Sequence, residues 1–289
     1  MSLSFTKFEA LGNDFALFDA RREPGLFRSL APIARSLCDR KRGIGADGLL
    51  FVQPGDRADC MMRLLNADGS ESEMCGNGLR CIGLFLHEEG GAGPFAVQTL
   101  AGLTRIEYAG EKGGREQFRV EMGAPVLKAS LVPTSLGNER AIEQPLATPL
   151  GEMRFTCVSM GNPHAVAFVD DPESLDLTEI GRHIENHPAF PRRTNVEFAR
   201  VIGPGKVRVR VWERGCGETE ACGSGACAVA VAANLTARVV GDAEIVLNGG
   251  SLFIEWAGEG HPVYMTGPAR RVFNGSINKG DFSATRRKA

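Results

Sequence analysis

Two cysteines stand directly before a Gly-x-Gly step, Cys75 in Glu73-Met-Cys-Gly-Asn-Gly-Leu-Arg-Cys81 and Cys222 in Glu220-Ala-Cys-Gly-Ser-Gly-Ala-Cys227, 147 residues apart in a chain of 289. A helix that opens on Gly-x-Gly presents N–H groups with no internal partner at the positive end of its dipole, which suits a bound carboxylate. A thiol at the same place is expected to have a lowered pKa, so that thiolate is available near neutrality. Glycine lets the backbone approach a ligand without a Cβ in the way. Two such mouths around one carboxylate suit inversion at the adjacent carbon. One thiolate removes the α-proton from one face, and the opposite thiol delivers a proton to the other. The helix N-termini would stabilise the charge that builds on the carboxylate, and closure of the site would exclude water. The dipoles replace an electron sink, so no pyridoxal cofactor is expected, and no other cofactor or metal.

The cysteine motif is part of a longer repetition. Gly12-Asn-Asp-Phe15 aligns with Gly161-Asn-Pro-His164, Met62-Arg-Leu-Leu-Asn66 with Val209-Arg-Val-Trp-Glu213, and Ile106-Glu-Tyr-Ala-Gly110 with Ile254-Glu-Trp-Ala-Gly258. Met122-Gly-Ala-Pro125 resembles Met265-Thr-Gly-Pro268. Asn66 and Glu213 each precede their cysteine by nine residues. Repetition at so long a period implies a tandem duplication. Val207-Arg-Val-Arg-Val-Trp212 alternates as a strand does, with Cys60–Leu65 as its less regular counterpart. A turn-rich stretch, the cysteine motif and a helix follow in each copy. Leu79, Ile82, Phe85 and Leu86 form an apolar stripe in the first helix, whereas the second is Ala-rich and apolar nearly all round, as a buried central helix would be. The expected fold is α+β: two pseudosymmetric domains, each a mostly antiparallel sheet wrapped around a central helix. The expected boundaries are 1–121, joined by 268–289, and 122–267, with the active site in the cleft between them.

Composition narrows the class of function. With 33 basic and 35 acidic residues the net charge is −2, and no basic stripe marks a nucleic-acid surface. The closing Arg286-Arg-Lys-Ala289 reads as a solvated tail. The opening residues carry no basic segment followed by an apolar one, and the strongly apolar run at 226–233 is far too short to span a bilayer. A cytoplasmic protein without membrane contact is therefore expected. Eight cysteines without a single Cys-x-x-Cys pair argue against a zinc ribbon and against a thioredoxin-type site. Cys216 and Cys227 lie near Cys222, but their spacing fits no common zinc pattern.

Together these segments identify the chain as resembling the diaminopimelate epimerase family. The resemblance runs over nearly the whole chain, on GND at 12–14, GIGADG at 43–48, NADGSESEMCGNGLRC at 66–81, GNPH at 161–164, TN at 194–195 and ERGCGETEACGSGAC at 213–227. It implies a cofactor-independent enzyme that interconverts LL- and meso-2,6-diaminopimelate on the route to lysine and peptidoglycan precursors, with Cys75 and Cys222 as the acid/base pair. It implies that Gly76, Asn77, Gly223 and Ser224 present donors to the reacting carboxylate. Asn13, Asn66, Asn162, Asn195, Glu213 and Arg214 fall on substrate-binding positions, and His164 and Glu213 on positions that assist catalysis. Arg214 could clamp a carboxylate through its fork and Glu213 pair with an ammonium. A homodimer is implied as well. Where some members of the family carry a glutamine, this chain has Gly48.

Rival readings remain at this level. GIGADG also spells a dinucleotide fingerprint, but here a helix-like stretch precedes it and a strand-like one follows, the reverse of the required order. A proline or hydroxyproline racemase also uses two cysteines, though with a second motif unlike ERGCGETEACGSG. A thiol redox protein is the rival of another class. His164 has a structural reading, and Asn66 before Ala-Asp-Gly has one as turn chemistry.

Overall fold

The computed structural model describes residues 2–282, so the basic tail lies outside the described residues. The chain divides into two compact units, Glu121–Thr266 and Met1–Val120 with the described part of Gly267–Ala289.

The first unit starts with an antiparallel hairpin, Ser2–Ala10 and Asn13–Asp19, turned by Leu11 and Gly12 with φ of 56° and 85°. Positive φ at both central residues is the turn whose twist matches that of the flanking strands. It delivers Asn13 to the first position of its strand. Two short helices, α1 (Leu26–Leu30) and α2 (Ala34–Cys38), are separated by a single 3-10 turn containing Pro32; proline lacks the N–H that a continuous helix would need there. Strand Gly48–Gln53 then pairs parallel with Asn13–Asp19 and antiparallel with Cys60–Asn66. Helix α3 (Gly76–Glu88) leads to strand Phe95–Thr99, parallel to Cys60–Asn66, and the antiparallel strands Gly102–Lys112 and Arg115–Glu121 follow. Strand Arg270–Asn278 pairs antiparallel with the opening strand. Leu79, Ile82 and Leu86 of the expected α3 stripe are buried, as are Cys81 and Leu84, whereas Phe85 is only half-buried. A Cβ on Gly83 would stand 2.7 Å from Phe118 and 2.8 Å from Ile106, so glycine sets how closely α3 lies on those strands.

The second unit repeats the plan. Gly151–Ser159 and Pro163–Phe168 form a hairpin, Asn195–Gly203 pairs parallel with the latter, and Lys206–Glu213 pairs antiparallel with that strand. Helix α4 (Leu177–Glu185) occupies the interval that α1 and α2 occupy in the first unit. Helix α5 (Gly223–Leu235) precedes strand Ala243–Leu247, parallel to Lys206–Glu213, with Gly250–Trp256 and Val263–Pro268 antiparallel beyond it. Residues Ala226 to Ala233 of α5 are all buried, which is what a helix apolar on every side requires. Each unit thus wraps a mostly antiparallel sheet round one long helix, and the fold is α+β.

The turn-rich stretches between strand and cysteine motif do more than turn. Glu71–Ser72 pairs back on Leu64 and Leu65, and Gly217–Thr219 on Val211, Trp212 and Glu213. Their few residues show too little alternation to read as strands. The glycines of GIGADG link α2 to strand Gly48–Gln53, helix first and strand second, which is not the order of a dinucleotide site.

Candidate active site

Both helix mouths are capped by their cysteine. Cys75 and Cys222 are extended, with φ and ψ of −147° and 111° and of −111° and 111°, and each sulfur accepts the N–H of the third residue of its helix at 3.4 Å, from Gly78 and Gly225. The sulfur takes the part that a serine or aspartate oxygen usually plays at this position. Cys75 is half-buried and Cys222 is buried.

At the first mouth Asn77 is buried and donates to Asn13 Oδ1 at 3.0 Å. Its own Oδ1 accepts from the guanidinium of Arg80 at 2.9 Å, and Arg80, which has no exposed surface, also donates to the Pro268 carbonyl at 3.1 Å. Asn13 Nδ2 donates to Asp47 at 2.9 Å. Arg40 joins Asp47 to Asp14 at 2.6 and 2.8 Å, and Lys7 pairs with Asp14 at 2.6 Å while donating to the Gly45 carbonyl. Burial alone would raise the Asp14 carboxyl, but hydrogen bonds from Arg40 and Lys7 hold it at about 2. GND and GIGADG are therefore one charged network that fixes Asn13. Asn66 takes up its turn with Ser70, donating from its side chain to Oγ at 3.0 Å and from its backbone to the carbonyl at 2.8 Å. A Cβ on Gly48 would lie 2.9 Å from the Leu65 carbonyl oxygen, so this strand position is held to glycine.

The second mouth is built of charged groups. Glu213 ends its strand, accepts from Thr219 at 2.5 Å and from the Cys222 thiol, and its carboxyl is raised by burial against both of those bonds. Ser224 Oγ lies 3.5 Å from Cys222 Sγ. His164 is fully buried, with Nδ1 2.6 Å from Glu197 Oε1 and Nε2 2.9 Å from Asn162 Oδ1. Asn195 donates to the Pro163 carbonyl at 2.8 Å and accepts the Arg214 N–H at 2.9 Å, so it ties the His164 strand to the turn that carries Arg214. The Arg214 guanidinium donates to the Arg192 carbonyl at 3.2 Å. That turn is held a second time: buried Glu185, at the end of α4, accepts from the Gly215 N–H at 2.9 Å, Trp212 Nε1 at 2.7 Å and Arg193 at 3.0 Å. The first unit thus brings Asn13, Asn66, Gly76 and Asn77 to the strands and helix turn that carry Cys75. In the second, Glu213 and Ser224 stand against Cys222 and Gly223 opens its helix, while hydrogen bonds join His164 to Asn162 and Asn195 to Pro163 and Arg214.

One expectation fails at Cys222. Its thiol is raised well above its ordinary value, first by burial and then by the carboxyls of Glu213 and Glu197, which outweigh the hydrogen bonds from Ser224 and the Gly225 amide. Position at a helix mouth lowers a thiol only while solvent or cations accompany it. Cys222 rests as a thiol.

Glu197 is the residue that sequence reasoning missed. It lies inside a strand beginning Asn195-Val-Glu-Phe-Ala199, all of it buried, and a Cβ on Gly225 would meet its Oε1 at 2.8 Å and Cys222 Sγ at 3.3 Å. A carboxyl between apolar neighbours on a strand buried on both faces was the available signal. Among the described residues no group of three or more His, Cys, Asp or Glu is placed to hold a metal ion, and no helix is long and apolar enough to cross a membrane.

The family model described as diaminopimelate epimerase matches residues 5–128 and 156–272. The chain belongs to the diaminopimelate epimerase family. Diaminopimelate epimerases from Synechocystis and from Desulfitobacterium hafniense are 49% and 46% identical to it, each over 95% of this chain and over 99% and 98% of their own lengths. Among solved structures, a hydroxyproline epimerase from Agrobacterium vitis with bound trans-4-hydroxy-L-proline covers 96% of this chain and 91% of its own. Its TM-score is 0.68 at 16% identity, which is a likeness of fold alone. The diaminopimelate epimerase family is one of isomerases, and membership sets the racemase and redox readings aside.

Proposed function

We propose that the chain interconverts LL- and meso-2,6-diaminopimelate by a two-base mechanism in which Cys75 and Cys222 serve opposite faces of one α-carbon. The observation that carries this reading is the doubled cap: each cysteine sulfur sits at the mouth of a long helix whose first turn is glycine-rich, the kind of backbone that receives a carboxylate. One sulfur, as thiolate, takes the α-proton; the other, as thiol, returns a proton to the opposite face; the roles exchange when the reaction runs backwards. The backbone N–H groups at Gly76, Asn77, Gly223 and Ser224 stabilise the charge that the carboxylate gains as the α-proton leaves. No pyridoxal phosphate takes part.

Cys222 enters as the proton donor, since its surroundings keep it a thiol, and once deprotonated it is a correspondingly strong base. Glu213 touches that thiol, and in the opposite direction, where Cys222 acts as the base, it takes up the thiol proton through the hydrogen bond they share. His164 supports the same side. Asn13, Asn66, Asn162, Asn195, Glu213 and Arg214 hold the substrate, Arg214 at a carboxylate and Glu213 at an ammonium. The resemblance to the family supports a cytoplasmic homodimer, which sedimentation velocity tests.

The deciding experiment is α-proton exchange in D2O, followed by NMR with reduced enzyme, LL- or meso-diaminopimelate, and proline as a parallel sample. Deuterium uptake with interconversion of the diaminopimelate isomers is the expected result. Uptake on proline alone would move the substrate, and silence on both would sink the reading.

A further inference from the structure

Beneath the α5 mouth lies a group that the two-thiol mechanism does not use. Glu197 and His164 are both wholly enclosed, their Oε1 and Nδ1 2.6 Å apart, and Glu197 Oε2 is buried with no hydrogen-bond partner. An enclosed carboxyl with one bare oxygen costs stability. The fold does not need it. In the parallel pairing of the first unit Leu17 stands opposite Leu50, and in that of the second Val166 stands opposite Glu197. Leu50 lies under Gly78 of α3 as Glu197 lies under Gly225 of α5. The same strand under the same kind of helix mouth is thus built with leucine in one copy and a carboxyl in the other.

We infer that Glu197 is a positioning residue for the reaction, anchoring the His164 imidazole through Nδ1 and setting the charge that Cys222 faces. Two contacts make the case. Oε1 is where a side chain on Gly225 would go, beside the Cys222 sulfur, so only glycine leaves room for carboxyl and thiol together. The bond to Nδ1 also sets the orientation of the imidazole and aims Nε2 at Asn162. The groups around Cys222 are Glu213 at the end of its strand, Glu197 on the neighbouring strand with His164 on the next, and Ser224 on α5 itself. Of these Glu197 is the buried acid with no role in holding substrate.

This inference rests on the two-thiol reading, and its test is chosen to fail separately. Cys222 is alkylated with iodoacetamide across pH 6–10 without substrate and scored by peptide mass spectrometry, in full-length wild type, Glu197→Gln and Glu197→Asp. Glu197→Gln should raise the Cys222 alkylation rate about tenfold at each pH, a downward shift of the profile by about one pH unit. It should also lower kcat about tenfold or more with KM nearly unchanged. Glu197→Asp should recover part of both. An unmoved alkylation profile in Glu197→Gln overturns the inference even if activity falls, because lost packing alone would not shift that profile. Should Glu197→Gln fail to fold, the nitrogen-15 spectrum of wild-type histidines decides: a proton on His164 Nδ1 is expected, and a bare Nδ1 overturns the inference. Wild-type turnover in Cys222→Ala would instead sink the two-thiol reading and leave the alkylation result standing.

Discussion

Beneath the mouth of α3 the strands present Phe15, Leu50 and Leu64; at the matching registers beneath α5 they present His164, Glu197 and Val211. Nine residues before the cysteine, one copy has Asn66 and the other Glu213. Backbone pairing, helix position and sulfur cap are the same in both. The difference teaches which property belongs to which level. The N–H groups that receive a carboxylate come with the backbone and are duplicated with it. The charge that decides whether a sulfur rests as thiol comes from side chains, and at Cys222 it comes from the acids Glu213 and Glu197. A repeated fold can therefore carry unlike groups at equivalent positions.

The sharpest way to divide cap from chemistry is to replace each sulfur with oxygen. Cys75→Ser and Cys222→Ser should lower epimerisation about a thousandfold, because a hydroxyl does not ionise in the working range. Both should melt within about 1 kcal/mol of wild type, since serine is a good cap. A large loss of stability in either would mean that the sulfur packs rather than caps. Making the first mouth resemble the second is the next test. Leu50→Glu buries a carboxyl with no histidine to meet it and should destabilise by about 3 kcal/mol in urea titration. A neutral result would show that the copies tolerate charge alike.

What lies behind the mouths is shared, and high pH exposes it. Burial pushes Cys38, Cys60 and Cys157 up to about 12, and raises Cys81 and Cys222 as well. A thiol raised in the folded state contributes stability that is complete below its unfolded pKa of about 8.5, and that is lost as pH climbs from there through the folded value. Unfolding free energy should fall by about 2 kcal/mol or more between pH 8 and pH 10. Constant stability over that range would contradict the burial of these thiols. The smallest effect expected is at the helix glycines. Gly225→Ala meets Glu197 and Cys222 and should cost about 1–3 kcal/mol. Gly78→Ala meets only Leu50 Cδ1 at 3.3 Å, with the next atoms at 3.6 Å, and should change stability by less than about 1 kcal/mol. Equal costs would erase the distinction between the two mouths.

Much of this was legible in the residues. Cys75 and Cys222 announced themselves because Gly-x-Gly after a cysteine is rare chemistry at a helix start, and the aligned strands followed because a duplication keeps its spacing. Asn66 and Glu213 fell into register for the same reason. Glu197 did not, because its apolar neighbours signal burial only, and its meaning lies in a partner 33 residues away. The rise of the Cys222 thiol was hidden too. A helix mouth is a local pattern, whereas burial is a property of everything packed around it.

Glu185 carries a consequence for motion. One buried carboxyl binds the end of α4, the indole of Trp212 and the Gly215 amide, although Gly215 itself sits in an exposed turn. Surface turns ordinarily open at little cost and exchange their amide protons quickly. Here the amide opens only by giving up its bond to a buried carboxyl, so Gly215 should exchange with deuterium more slowly than its exposure suggests, and Arg214 inherits that stillness.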